Sequence, residues 1–148
     1  MFDTICVGFD GSEPSENALR VACQIAEKFH ASVHVVHVPK HETVAFALGA
    51  VAGYHAATTM PSKEEVAEAA AIVTDTAKKI AAVGGFPNVT CHVVDGDPAH
   101  AVVDKAKTVG ADLIVTGRRG LGNLSAMVLG STSADISHRA HCAHLTIK

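Results

Sequence analysis

The sequence predicts one α/β domain over residues 1–148, a five-stranded parallel sheet with helices on both of its faces. Five short apolar runs alternate with segments of helical periodicity, which indicates parallel strands joined by right-handed crossovers. The apolar residues are mostly Ala, Val, Ile and Leu, with no Trp, one Tyr and five Phe. This composition is typical of a sheet buried between helices. The length of 148 residues also suits a single domain.

The first three elements are a strand, a helix and a second strand. Thr4–Phe9 is an apolar run that ends at the turn residues Asp10-Gly11-Ser12. From Ser15 onward, small and apolar residues recur at helical spacing, so this segment predicts the first helix. Ser32–Val38 is rich in Val and predicts the second strand, which Pro39 ends.

A long uncharged segment follows the second strand. Thr43 to Ser62 contains no Lys, Arg, Asp or Glu. Its apolar part, Val44 to Tyr54, is too short for a membrane span, which needs about 20 mostly apolar residues. We therefore predict no membrane span and interpret the segment as a partly buried excursion or as a surface that faces a partner.

The second half of the chain continues the alternation of helices and strands. The predicted elements are a long helix from Pro61-Ser62 to about Val83, a strand at Val89–Val94, a helix ending at Gly110, a strand at Asp112–Thr116, a glycine-rich connection at Gly117–Leu129, a short helix at Ser131 to about Arg139 and a last strand at His144–Ile147. Asp97 and Pro98 begin the middle helix, because Asp is a favoured N-cap and Pro is tolerated at the first helical position.

Charge and cysteine usage limit the possible partners and compartment. The net charge is −3, and there is no run of Lys and Arg, which argues against a general nucleic-acid binder. Met1 to Asp10 lacks the features of a secretory signal, so we expect a cytoplasmic protein. The four Cys residues are widely spaced without a CxxC pair and are expected to be reduced thiols.

Two connections have the composition of a ligand site. In open α/β sheets, ligands bind beyond the carboxyl ends of the strands, where the strand order reverses. Gly8-Phe9-Asp10-Gly11-Ser12 follows the first strand, and Gly117-Arg118-Arg119-Gly120 follows the fourth and leads to Gly130-Ser131-Thr132-Ser133. Glycines expose backbone amides to an anion, and the start of a helix favours phosphate. The glycines alone fit an ordinary surface loop equally well, and there is no GxxxxGK[ST] motif.

The motif Gly117-x2-Gly120-x9-Gly130-Ser131 resembles the signature of the nucleotide-binding branch of the universal stress protein family. The likeness extends over nearly the whole chain. It includes the opening Ile5-Cys-Val-Gly-Phe-Asp-Gly-Ser12 and the segment Ala111-Asp-Leu-Ile-Val-Thr-Gly117.

The resemblance implies a Rossmann-like sheet of order 3-2-1-4-5 that holds ATP or AMP between strands one and four. By similarity, Asp10 would accept hydrogen bonds from the ribose hydroxyls, the backbone at Val38 would recognise the adenine edge, and Gly8 and Phe9 would line the base and ribose pocket. The residues implied around the phosphates are Gly117, Arg119, Gly120, Gly130, Ser131 and Thr132, with Ser133 at the edge.

The resemblance also implies a homodimer, or a higher homo-oligomer, formed by pairing of the last strands. This sequence departs from the family pattern there, since Cys142-Ala-His-Leu-Thr-Ile147 is short and carries His144, so the pairing geometry is left open. A second departure is Thr116, where the family often has Met, and we expect it to alter packing around the ligand. A nucleotide-dependent signalling module would also need a protein partner, which the sequence does not identify.

The sequence also suggests three alternatives to nucleotide sensing. His138, His141 and His144, with Cys142, invite a metal site, but their positions across a helix end and a strand argue against convergence. Efficient nucleotide hydrolysis is disfavoured because the sequence has no Asp or Glu between Asp112 and Asp135. Slow ATP hydrolysis or autophosphorylation stays open, with Mg²⁺ or Mn²⁺ held through the phosphates. A nucleotide-independent interaction module is the third alternative, and the intact glycines argue against it.

Overall fold

The computed structural model describes residues 1–49, 60–121 and 130–148. Strands and helices alternate along most of this part of the chain, in the order that the sequence predicts. The elements are β1 Thr4–Gly8, α1 Glu13–Phe29, β2 Ser32–His37, α2 His41–Gly49, α3 Lys63–Val83, β3 Val89–Val93, α4 Pro98–Val109, β4 Leu113–Gly117, α5 Ser131–Arg139 and β5 Ala143–Ile147.

The five strands form one parallel sheet in the order β3-β2-β1-β4-β5, which confirms the expected topology. β1 lies at the centre between β2 and β4. In its register, Gly8 pairs with Val36 of β2 on one side and with Thr116 of β4 on the other. The three strands therefore end level with one another, at one edge of the sheet. Beyond Gly8, the Phe9 amide still donates to the Val36 carbonyl, at 2.9 Å.

Side chains of the central strands alternate between two cores, one on each face of the sheet. Ile5 and Val7 of β1 face a core built with α1, α2 and α3, whereas Cys6 faces a second core built with α4 and α5. The helices present mainly Ala to the sheet, and Ala22 and Ala106 are fully buried. Small side chains let the helix backbones pack close to the strands, which explains how the chain builds a core with few aromatic residues.

Local signals in the sequence explain where several helices begin and end. α3 begins with a capping box, in which the Ser62 hydroxyl accepts from the Glu65 amide and the Glu65 carboxylate accepts from the Ser62 amide. Asp97 caps α4 by accepting from the His100 amide at 3.1 Å, as the sequence predicts. Gly110 ends α4 in the left-handed conformation, with φ of 68°, which glycine adopts without strain.

The uncharged segment begins within a helix, α2, that the sequence pattern does not predict, and the burial of this helix agrees with the expected partly buried excursion. The helix occupies the first part of that segment, and it packs Val44, Ala47 and Leu48 into the core beside α3. Because this helix carries few polar residues, it lacks the amphipathic pattern that would have identified it. Residues 50–59 of the segment lie outside the described residues. None of the helices in the described ranges combines the length and apolar character that crossing a membrane requires.

His37, at the end of β2, is a polar side chain inside the core. It is 1% exposed, and its Nδ1 lies 3.0 Å from the Phe9 carbonyl oxygen. Since a carbonyl only accepts, Nδ1 carries the proton and donates it. Burial lowers the pKa of His37, against smaller raising effects from the Phe9 hydrogen bond and the Asp10 charge. His37 therefore links the ends of β1 and β2 in its neutral form.

We expect the free energy of unfolding to fall on acidification from about pH 8 to about pH 5.5. The unfolded chain protonates His37 near the usual His pKa of about 6.5, whereas the folded chain resists protonation. This stabilisation is therefore complete above that pKa and is lost as the pH falls below it. Urea unfolding at the two pH values measures the change. Burial also lowers the pKa values of His34, His92 and His144, so these residues contribute with the same sign.

The variant His37→Asn isolates the contribution of His37, because its side-chain amide can donate to the Phe9 carbonyl without titrating. We expect a smaller loss of stability on acidification in His37→Asn than in the wild type. His41→Asn, at the exposed start of α2, is the matched control. An equal loss in wild type and His37→Asn would contradict the assignment.

Candidate functional site

A cleft of about 280 Å³ opens at the edge of the sheet where β1, β2 and β4 end. The strand order reverses at this point, because β1 pairs with β2 on one side and with β4 on the other. The start of α5 forms one wall, and the loop after β1 forms another. This is the position at which doubly wound sheets bind ligands.

The cleft brings together all the residues that the resemblance places around a nucleotide. They are Gly8, Phe9, Asp10, Val38, Gly117, Arg119, Gly120, Gly130, Ser131, Thr132 and Ser133. Their contacts with a ligand stay a prediction. The described part of the motif Gly117-x2-Gly120-x9-Gly130-Ser131 nevertheless faces the same space as the loop after β1, more than 100 residues earlier in the chain.

Other lining residues were not identified from the sequence. Lys40, Glu42 and Thr43 follow β2 and line the cleft beside Val38. Pro98 and Val102, near the start of α4, line it from the other face of the sheet. The signal that would have found them is topological, because each lies at or beyond the same edge of the sheet as the glycine loops.

Asp10 connects the loop after β1 to the loop after β4. Its Oδ1 accepts from the Ser12 amide at 3.0 Å and from the Ser12 hydroxyl at 2.5 Å. Its Oδ2 accepts from the Leu121 amide at 3.1 Å, across 111 residues of sequence. The carboxylate is thus held in a fixed orientation at the cleft before any ligand arrives. A carboxylate has about four acceptor sites and three are used here, so about one remains for a ribose hydroxyl.

Glycine is needed in the loop after β4 for two reasons. Neighbouring atoms lie too close for a side chain, and the cleft has to stay open. A Cβ on Gly117 would lie 2.8 Å from the Pro14 carbonyl carbon, in the first turn of α1. A Cβ on Gly120 would lie 2.5 Å from Asp10 Oδ2, and one on Gly130 would lie 3.0 Å from the Arg118 carbonyl oxygen. Gly117 therefore fixes the packing of β4 on a helix backbone, whereas Gly120 faces the carboxylate of Asp10.

The start of α5 is held by the Arg118 carbonyl. This carbonyl accepts from the Gly130 amide at 2.8 Å and from the Ser133 hydroxyl at 3.0 Å. Ser133 is 3% exposed, and its hydroxyl also reaches the Gly130 carbonyl, so it secures the loop within the protein. The first helical hydrogen bond runs from the Ala134 amide to the Gly130 carbonyl. The three preceding amides, at residues 131–133, are therefore left without an intrahelical acceptor.

The metal hypothesis includes His144, and the structure shows what the ring of this residue contacts. Both ring nitrogens of His144 face hydroxyl groups, with Nδ1 2.8 Å from Ser137 Oγ and Nε2 2.8 Å from Thr116 Oγ1. Within those ranges, the one group of three potential metal ligands is Asp97, His100 and Asp135, whose ligand atoms lie within 4.8 Å of one another. The sequence alone does not predict this group, because its members lie at two different helices.

Each member of that group already has a role in the protein. Asp97 caps α4 and lies 2.9 Å from His100 Nδ1, and these hydrogen bonds from His100 lower the pKa of Asp97. Asp135 accepts from Arg139 at 2.7 Å, one turn further along α5. Helix capping and an ion pair along one helix therefore account for the three side chains.

Fold and cleft together define a Rossmann-like α/β protein with a ligand cleft at its topological switch point. The universal stress protein family model matches residues 1–148, and the chain belongs to that family. The universal stress protein YxiE of Bacillus subtilis is 31% identical to it, over 100% of both chains.

Two similar solved structures contain a nucleotide. A universal stress protein in complex with cAMP is 27% identical, with a TM-score of 0.72, and the match covers 99% of this chain and 97% of that one. The universal stress protein from Archaeoglobus fulgidus in complex with dAMP is 25% identical, with a TM-score of 0.71, and the match covers 99% and 98% of the two chains.

The contact distances predict different consequences for two glycine substitutions. Gly117→Ala should lower the free energy of unfolding by about 1–3 kcal/mol, because its methyl group would press on the backbone of Pro14. Gly120→Ala should lower it less, by about 0.5–1.5 kcal/mol, because its methyl group would displace the Asp10 carboxylate from the Leu121 amide without pressing on a backbone. Urea unfolding of each variant measures the difference.

Gly49→Ala is the control for these variants, because a Cβ there meets nothing within 4 Å. If Gly117→Ala is as stable as Gly120→Ala, the close packing of β4 on α1 is not the constraint at Gly117.

Proposed function

We propose that this protein binds an adenine nucleotide, ATP or AMP, in the cleft between β1 and β4 and acts as a nucleotide-dependent regulatory module. One observation carries the proposal: a carboxylate, bare glycines and a helix start converge on one cleft at the switch point of the sheet. The relatives in complex with cAMP and dAMP support an adenine nucleotide as the ligand class.

The phosphates would lie at the start of α5. The amides of residues 131–133 have no intrahelical acceptor, and the positive end of the helix dipole points into the cleft. The hydroxyls of Ser131 and Thr132 are exposed beside them. Gly117, Gly120 and Gly130 leave room for close approach, and Arg119 adds a positive charge to the lining.

The nucleoside would lie towards the ends of β1 and β2. Phe9 and Val38 are 3% and 6% exposed, so they present a fixed apolar and backbone surface for the base. Asp10 would accept from a ribose hydroxyl, a donor that its remaining acceptor site suits. A planar base and a ribose hydroxyl therefore match the chemistry of this half of the cleft.

The charges at the cleft favour binding over turnover. Hydrolysis needs a positioned water, a base and usually a metal ion held by protein carboxylates. Asp10 and Glu42 are the two carboxylates among the described lining residues, and Asp10 is engaged by Ser12 and Leu121. A Mg²⁺ or Mn²⁺ ion would therefore be held mainly by phosphate oxygens. Slow hydrolysis or autophosphorylation is the second candidate function.

The regulatory output would depend on assembly. The proposal includes a cytoplasmic homodimer, or a higher homo-oligomer, and a protein partner that reads the nucleotide state. β5 is one of the two edge strands of the sheet, and the resemblance to the family favours it for pairing with a second copy. Nucleotide binding would change the surface at the start of α5, the helix that precedes β5 in the chain.

We expect nucleotide-free wild-type protein to bind AMP or ATP in isothermal titration calorimetry, with and without Mg²⁺. Asp10→Ala should weaken binding about tenfold or more, because the ribose would lose a charged acceptor and the two cleft loops would lose the hydrogen bond between Leu121 and Asp10. Asp75→Ala, which removes an exposed carboxylate on α3, is the matched control and should bind as the wild type does.

The absence of binding heat for AMP and ATP in the wild type would refute the proposed function. Chromatography after incubation with ATP separates a sensor from an enzyme. Unchanged ATP supports a sensor, whereas rapid accumulation of ADP would favour the second candidate.

A further inference from the structure

The His144 ring joins two walls of the cleft from behind. It lies on β5, and its two ring nitrogens contact Ser137 of α5 and Thr116 of β4, each at 2.8 Å. Thr116 lines the cleft at the end of β4. Ser137 lies one turn after Ser133, which secures the start of α5. A single imidazole thus connects the floor of the cleft to the helix proposed to bind phosphate.

The hydrogen bonds around His144 determine which ring nitrogen carries the proton. The Ser137 hydroxyl donates its one hydrogen to the Ser133 carbonyl, at 2.9 Å. With that hydrogen used, the Ser137 oxygen accepts from His144, and on this basis the proton of the neutral ring is assigned to Nδ1. Nε2 is then an acceptor and takes the hydrogen of the Thr116 hydroxyl. The donors run in one direction, from Thr116 through His144 and Ser137 to Ser133.

This arrangement fixes the orientation of the Thr116 side chain. Its hydroxyl points towards β5, and its methyl group faces Gly8, 3.2 Å from the position that a Cβ on Gly8 would occupy. The side chain is 5% exposed. A rotation about its first side-chain bond would leave the hydroxyl without its partner in a buried place, which is unfavourable.

We infer that His144 is a positioning residue for the proposed nucleotide site. It holds the Thr116 methyl group over Gly8 as the floor of the cleft, and it holds Ser137 against the carbonyl of Ser133 at the start of α5. The inference rests on the proposed function, because it concerns ligand affinity at that site. His144 itself does not line the cleft in the described residues.

The first test reads the tautomer in nucleotide-free protein. Nitrogen-15 NMR of the histidine rings at neutral pH should show a neutral His144 with its proton on Nδ1, assigned by the loss of its signals in His144→Gln. A proton on Nε2 would overturn the inference whether or not the protein binds nucleotide.

The second test measures AMP affinity by calorimetry in a set of variants. His144→Leu should weaken binding about three- to tenfold, the effect of losing a single hydrogen bond. His144→Gln should recover most of that loss, because its side-chain oxygen reaches the region of Nε2 and accepts from Thr116. His141→Leu, exposed and three residues earlier, is the control and should bind as the wild type does.

A double variant separates positioning from a general disturbance of β5. Thr116→Val keeps the branched shape and removes the hydroxyl that needs a partner. Combined with His144→Leu, it should restore affinity towards the wild-type value. If wild-type protein binds AMP but His144→Leu binds equally well, or if Thr116→Val gives no recovery, the inference fails while the proposed function stands. If wild-type protein binds neither AMP nor ATP, the proposed function fails first.

Discussion

The pairing of β1 with β4 is the constraint on which the site depends. Gly8 and Thr116 are paired at the ends of these strands, and the connections that leave them run to different parts of the chain. Parallel strands joined by right-handed crossovers leave a gap between such connections. At the end of β4, Gly117 allows the strand to contact the backbone of Pro14 in α1. Both loops that line the cleft are positioned by this pair of strands.

Hydrogen bonds within the protein keep the cleft in order without a ligand. Asp10 ties the β1 loop to Leu121, and the Arg118 carbonyl ties the β4 loop to Gly130 and Ser133. A site that is arranged in advance loses less conformational entropy when a ligand binds. The same bonds use part of the polar capacity of the cleft, since the Gly130 amide and the Ser133 hydroxyl already have acceptors. The amides of residues 131–133 remain as the donors best suited to an anion.

The sequence predicted the fold well because its signals are local. Apolar runs, helical spacing and the Asp97-Pro98 start located nearly all the elements, and α2 was missed because few polar residues mark its outer face. The strand order and the site residues came from the resemblance. Contacts such as Asp10 to Leu121 and Gly117 to Pro14 join residues about 100 positions apart, and no local pattern encodes them.

The glycines illustrate this limit. From the sequence alone, Gly117, Gly120 and Gly130 fit a surface loop as well as a phosphate site. In the structure, packing explains one of these glycines and access to the cleft explains another, so the two explanations are compatible. Gly117 is needed where β4 meets the backbone of α1, whereas Gly120 lies against the Asp10 carboxylate that borders the cleft. One motif therefore serves both packing and access to the cleft.

The two departures from the family pattern, Thr116 and His144, are explained by the contact between these two residues. Thr116 places a hydroxyl in a nearly buried position at the end of β4, where an unpaired polar group would be unfavourable. His144 supplies its partner from the adjacent strand, in a register where Ile114 and His144 are paired and Thr116 lies two residues further along. The histidine that made the last strand look atypical is thus the polar counterpart of Thr116. Its two ring nitrogens both contact hydroxyl groups within this chain, so the polarity of His144 serves the packing of β5 on β4 and α5.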